Sequence, residues 1–334
     1  MKRVLITDHL PPPPDIERRV LDGLATVTCL EAKTADELRG RLGDADGVLL
    51  YHDLALDEDL IAEMERCRAI VRCGVGFDNV DLRVAGERGV WVCNIPDYGV
   101  DEVADHAIGL MLACCRGMVR ADAKLRENLS PWNADVARPL RRLAGTTMGI
   151  VGCGRIGAAA VARAKAMRMR VVVCDPYLRP GMDKALGVEL VDLDTLLARA
   201  DVVSLHTPLT EETKSLIGER ELSLMKPTAF LINTARGEVL DTDALAVALE
   251  SGVIAGAGVD VLPVEPPAAD SALIRLWRES AGGGRVNLVI TPHIAYYSES
   301  ALEEIRIKGA EELARVFRGE PPKNPVNREW LKES

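Results

Sequence analysis

One short run constrains this chain more than any other. An apolar stretch at 148–151 leads into Gly152-Cys153-Gly154-Arg155-Ile156-Gly157. An Ala-rich segment follows to 169, and a second apolar stretch at 171–174 ends on Asp175. The spacing predicts a strand, a tight turn, a helix and a second strand across 146–175. Gly152 permits the turn, Gly154 lets backbone approach a ligand, and Gly157 lets helix and strand pack closely. Free N–H groups and the positive end of the helix dipole converge there, which suits a pyrophosphate. A carboxylate at Asp175 accepts hydrogen bonds from ribose hydroxyls and repels a 2′-phosphate. The expected cofactor is therefore NAD rather than NADP, with nearby Arg179 only softening the preference.

The rest of the chain repeats the alternation that such a unit needs. Short apolar strands are expected at 4–6, 27–30, 47–51, 70–73 and 90–93, and again at 202–205, 229–233, 256–261 and 288–291. Helical patterns are expected at 16–23 (capped by Asp15), 35–42, 57–66, 193–200 and 242–251. The prolines at 11–14 read as a stiff, extended connection. Residues 101–126 read as one long helix leading from one domain to the next, followed by a looser polar segment at 127–142. Strands alternating with helices imply parallel sheets covered on both faces. The fold class is thus α/β, with two doubly wound parallel-sheet domains of the Rossmann or flavodoxin type. The first takes residues 1–98 and, through a returning final helix at 300–318, residues 299–334. The second takes 99–298.

Composition excludes several functions. A length of 334 residues suits two domains. A net charge of −10 and scarce aromatics, at 4%, argue against nucleic acid and anionic membranes as partners. No signal peptide is legible, and the longest apolar stretch, near 107–115, is too short to span a bilayer. The 8 cysteines form no C-x-x-C pair, so reduced, buried thiols in a cytoplasmic protein are expected.

Three residues far apart in sequence each follow an expected strand: Arg236 in Asn233-Thr234-Ala235-Arg236-Gly237, Glu265 between prolines, and His293 after Thr291-Pro292. That edge is where open α/β sheets bind ligands. The types suit hydride exchange with a keto acid. The imidazole moves a proton near neutral pH, a carboxylate orients it, and the guanidinium grips an anionic substrate. Taken alone, each has an ordinary structural explanation. His9, His52 and His106 are given only that explanation, and His206 is expected to have a structural role near the cofactor loop.

At this point the motifs together are specific. Gly74-Val75-Gly76-Phe77-Asp78-Asn79-Val80-Asp81, the glycine turn, Asp175-Pro176-Tyr177, His206-Thr207-Pro208-Leu209-Thr210, the Arg236 loop and Thr291-Pro292-His293 occur in order. The chain resembles the D-isomer-specific 2-hydroxyacid dehydrogenases, most nearly their C-terminal-binding-protein-like branch, from about residue 4 to 318. The resemblance implies a substrate domain and an NAD-binding domain, with a cleft that closes on hinges near 98 and 298. It implies Arg236, Glu265 and His293 as the catalytic set. It implies that Val75 and Gly76 bind the substrate carboxylate and that Tyr296 faces the substrate. Around NAD it implies Gly152, Gly154, Arg155, Ile156, Gly157, Asp175, Thr207, Pro208, Thr213, Thr234, Ala235, Arg236, Asp260 and His293. It also implies a homodimer built through the NAD-binding domain near 118–143.

There are departures from the branch. Tyr296 stands where it usually has Trp, and the stretch 266–286, with Gly282-Gly283-Gly284, is long and reads as a tolerated insertion. The expected substrate is a small 2-hydroxy or 2-keto acid. The branch resemblance raises an alternative, an NAD(H)-sensing co-repressor or scaffold with vestigial activity. The anion-binding groups raise another, a dehydrogenase of a phosphonate-type anion.

Overall fold

The computed structural model describes residues 1–280 and 286–331. The chain divides into two compact units, one of Met1–Gly99 with Ser298–Ser334 and one of Val100–Tyr297.

The first unit is built on a five-stranded sheet in the order β2-β1-β3-β4-β5. Its strands are β1 (Lys2–Ile6), β2 (Ala25–Cys29), β3 (Gly47–Leu50), β4 (Ala69–Arg72) and β5 (Trp91–Asn94), all parallel. β3 and β4 are buried throughout, which is why they read as apolar runs, with only Arg72 at the end of β4 breaking the pattern. The last long helix, Glu299–Phe317, returns to this sheet. A side chain at Gly47 would meet Leu313 and Phe317 at 2.9 Å, so the bare backbone there is what admits the helix. Arg306 of the same helix grips fully buried Glu17 through two hydrogen bonds of 2.7 and 2.8 Å.

Two expectations for this unit are corrected. Pro14 occupies the position before the first helix and Asp15 is its first residue, so Asp15 is not the cap. The helix expected at 35–42 is a single 3-10 turn, Ala35–Leu38, because the chain turns left-handed at Gly40 (φ 72°).

The second unit carries a seven-stranded sheet in the order β12-β11-β10-β9-β6-β7-β8. Its strands are β6 (Thr147–Val151), β7 (Arg170–Cys174), β8 (Glu189–Leu190), β9 (Val202–Leu205), β10 (Phe230–Asn233), β11 (Gly256–Val259) and β12 (Leu288–Ile290). All pairings are parallel. The order reverses between β6 and β9, and the crevice at such a reversal is where doubly wound sheets bind ligands.

The long helix expected at 101–126 is two helices, Val100–Cys115 and Met118–Glu127. The chain breaks at Gly117, whose φ of 59° no helix accommodates. The first helix is amphipathic and buries Ala104, Ala107, Ile108 and Met111; the second buries none of its residues. The stretch 266–286 is not a plain loop. It contains the helix Ala272–Glu279, whose Leu273 and Leu276 join the core of the unit. The glycine run at 282–284 lies outside the described residues. All eight cysteines are free, and six are buried. Among the described residues no helix is long and apolar enough to cross a membrane.

Candidate active site

The glycine turn follows β6 directly. Gly152 has a φ of 84°, and a Cβ there would lie 2.8 Å from the His206 carbonyl carbon. A Cβ at Gly157 would lie 2.2 Å from the Gly152 carbonyl oxygen. Both positions therefore need glycine for the fold itself. Gly154 differs, since a Cβ there meets nothing within 4 Å. It opens onto free space at the start of the helix Arg155–Ala166, which has no side-chain cap. Arg155 is exposed and Ile156 half-buried at that same first turn.

Asp175 holds the turn from below. Its Oδ2 accepts the Cys153 N–H at 2.7 Å and its Oδ1 accepts the Tyr177 N–H at 2.9 Å. Across the carboxyl ends of β9 and β10, the hydroxyls of Thr207 and Thr234 are buried without a hydrogen-bond partner. A buried polar group left unpaired costs about 1–3 kcal/mol. Two such hydroxyls, an open glycine and uncapped helix N–H groups on one sheet edge fit a bound dinucleotide. Thr213, expected at the cofactor, donates its hydroxyl to the Pro208 carbonyl at 2.7 Å and accepts the Thr210 N–H at 2.8 Å. These bonds fold the loop after β9. His206 is half-buried with its ring nitrogen Nδ1 shut off from solvent and Nε2 2.9 Å from the Ser204 hydroxyl, and desolvation of the ring pushes its pKa down to about 4.

Arg236, Glu265 and His293 follow β10, β11 and β12, on the same edge. Buried Asn233, missed in the sequence, shapes the first of these loops. Its Oδ1 accepts the Ala235 N–H and its Nδ2 donates to the Arg236 carbonyl. Gly237 then lets this loop press against the next, since a Cβ there would lie 2.0 Å from the Leu262 carbonyl carbon. Glu265 Oε1 accepts the Leu262 N–H at 2.7 Å, and its Oε2 lies 2.7 Å from His293 Nδ1. A carboxylate only accepts, so Nδ1 carries the proton and Nε2 is the nitrogen left for chemistry. His293 has a φ of 52°, and the Tyr296 ring meets its ring edge-on at 6.2 Å.

Asp260, expected to contact the cofactor, has its carboxylate engaged by the loop that carries His293. It is 1% exposed. It accepts the Thr291 hydroxyl at 2.5 Å and the N–H groups of Ile294 and Ala295 at 3.1 and 2.9 Å. These bonds hold the loop that carries His293. Val75 and Gly76 belong to the first unit, in the loop after β4, where the Val75 carbonyl accepts from Asn94 Nδ2 at 2.6 Å.

Comparisons with known proteins place the chain in a family. Residues 108–295 match the family model described as D-isomer specific 2-hydroxyacid dehydrogenase, NAD binding domain. A glyoxylate reductase of Korarchaeum cryptofilum is 40% identical over 87% of this chain and 86% of its own. A D-3-phosphoglycerate dehydrogenase of Methanocaldococcus jannaschii is 36% identical over 98% of this chain and 60% of its own. Among solved structures, a D-lactate dehydrogenase of Aquifex aeolicus, complexed with NAD and lactic acid, is 31% identical with a TM-score of 0.85. That match covers 97% of this chain and 99% of the other.

Proposed function

For a chain that belongs to the D-isomer-specific 2-hydroxyacid dehydrogenase family, we propose NAD(H)-dependent interconversion of a small 2-keto acid and its 2-hydroxy acid, with His293, Glu265 and Arg236 as the catalytic set. One observation carries this reading. A carboxylate fixes an imidazole at 2.7 Å on the same sheet edge as the glycine turn. Arg155, Ile156, Asp175, Thr207 and Thr234 would hold the cofactor, which when bound supplies or accepts the hydride.

The protein's own residues do the remaining work. His293 Nε2 gives a proton to the carbonyl oxygen in reduction and takes it back in oxidation. Glu265 keeps the ring in one tautomer and stabilises its charged form. The Arg236 guanidinium offers parallel donors to a substrate carboxylate and to charge developing on oxygen. Relatives named for glyoxylate and lactate support a short 2-keto acid as substrate. We also propose a homodimer built through the second unit. Met118, Val119, Leu129, Trp132 and Leu140 crowd apolar surface into one exposed segment.

The test is a panel of short 2-keto acids, glyoxylate and pyruvate among them, with NADH and NADPH in parallel. Turnover with NADH is expected on at least one acid. His293→Ala and Arg236→Ala are expected to lower it by about 100-fold or more while NADH still binds. Undiminished turnover in either variant overturns the assignment. Tight NADH binding without turnover of any acid favours a sensor or scaffold instead.

A further inference from the structure

We infer that His106, a residue of the helix Val100–Cys115 outside the catalytic set, is a positioning residue that locks the loop presenting His293. The inference rests on the catalytic role proposed for His293. It starts from one hydroxyl. Thr291 has a single hydroxyl proton and donates it to Asp260 Oδ1. His106 Nε2 lies 2.9 Å from the same Thr291 oxygen. With the hydroxyl proton already committed, Nε2–H of His106 is the donor and the threonine oxygen the acceptor. The chain therefore runs one way, from His106 to Thr291 to Asp260. His106 Nε2 is also 3.5 Å from Asp260 Oδ1, so the imidazole orients the relay and adds a favourable dipole at the carboxylate.

Asp260 passes the constraint on. Its carboxylate accepts the N–H groups of Ile294 and Ala295, and its carbonyl accepts the His293 N–H at 2.8 Å. Those contacts bracket His293 on both sides. They hold it at a φ of 52°, a conformation that side-chain-bearing residues avoid. Such a conformation persists only where its surroundings over-determine it. His106 is the one link in this chain from outside the β11 and β12 loops, and it belongs to a helix packed on β10, β11 and β12. It fixes the loop, and with it His293, to the body of the unit. Without its N–H the Thr291–Asp260 pair loses its tether to the helix, the loop shifts as a unit, and the His293 imidazole leaves its productive geometry. A misplacement on that scale is felt in the chemical step rather than in binding.

The test uses the full chain. His106→Phe fills the space without a donor, and His106→Gln keeps an N–H donor at similar reach. In His106→Phe, kcat is expected to fall about tenfold or more, with the keto-acid KM and NADH affinity within about twofold of wild type. The primary isotope effect from deuterated NADH is expected to rise, because the chemical step becomes limiting. His106→Gln is expected to recover most of kcat. Hydrogen exchange supplies a readout that needs no substrate. The Ile294 and Ala295 amides should exchange at least about tenfold faster in His106→Phe, with the β6 amides unchanged. Should His106→Phe fail to fold, Thr291→Val breaks the same relay and takes the same measurements.

Wild-type kcat and unchanged Ile294 and Ala295 exchange in the donor-less variants overturn the inference while leaving the dehydrogenase reading intact. Faster exchange with unchanged kcat, or equal losses in His106→Phe and His106→Gln, also overturn it. Faster exchange in a protein whose wild type reduces no keto acid sinks the proposed function and leaves His106 as the lock on this loop.

Discussion

His206 shows how one desolvated side chain ties stability to pH. Desolvation of the ring depresses its pKa from 6.5 to about 4. In the unfolded chain it takes up a proton near pH 6.5, and in the folded protein only near pH 4. Between those values the unfolded state binds more protons, so stability falls as the pH drops through that window and levels off below it. The shift corresponds to about 3 kcal/mol. His206→Gln keeps a polar partner for Ser204 but cannot titrate. Wild type is therefore expected to lose about 3 kcal/mol more than this variant between pH 6.5 and 4, measured by chemical denaturation. Parallel pH curves for the two proteins would rule out the linkage. His206 and Asp175 were legible from their motifs. His106 was not, because one polar residue in a helix carries no periodic signal, and its partner Thr291 comes from a strand end 185 residues away.

At the scale of the element, the strand–turn–helix beginning at β6 separates what folding needs from what binding needs. Gly157→Ala drives a methyl against the Gly152 carbonyl and is expected to destabilise the protein by about 2 kcal/mol or more. Gly154→Ala meets open space and is expected to change stability by no more than about 1 kcal/mol. Its methyl instead enters the room left for phosphates, so NADH affinity is expected to fall about tenfold or more. Denaturation curves and NADH fluorescence titrations check both halves. Equal effects of the two substitutions on folding and binding would refute the separation.

This element was readable in sequence because each of its glycines marks a distinct backbone requirement, although its helix ends at Ala166 rather than at 169. The boundary of the helix Val100–Cys115 was not. Gly117 lies in a run with helical periodicity on both sides, and a lone glycine is tolerated inside a helix as readily as it ends one, so its left-handed φ was not dictated by the pattern. The helices Leu82–Glu87, Glu219–Leu224 and Ala272–Glu279 were not anticipated; at six to eight residues each, periodicity registers only weakly.

For the whole molecule, the exposed apolar residues between Met118 and Leu140 set an expectation about assembly. Trp132, 77% exposed, is the largest of them. Light scattering is expected to give the mass of a dimer, and Trp132→Glu with Val119→Glu is expected to shift it toward monomer while NADH binding persists. A wild-type monomer at micromolar concentration would remove the proposal. The division of the chain has a different consequence. Glu17 is fully buried, and its partner Arg306 lies 289 residues further along. On a ribosome, which extends the chain from its first residue, Val100–Tyr297 is complete before any of Ser298–Ser334 has been made. The opening segment therefore waits through the synthesis of the entire second unit without the guanidinium that neutralises Glu17 and without the helix that covers Gly47. Of the two units, the one begun first is the one whose core is closed last.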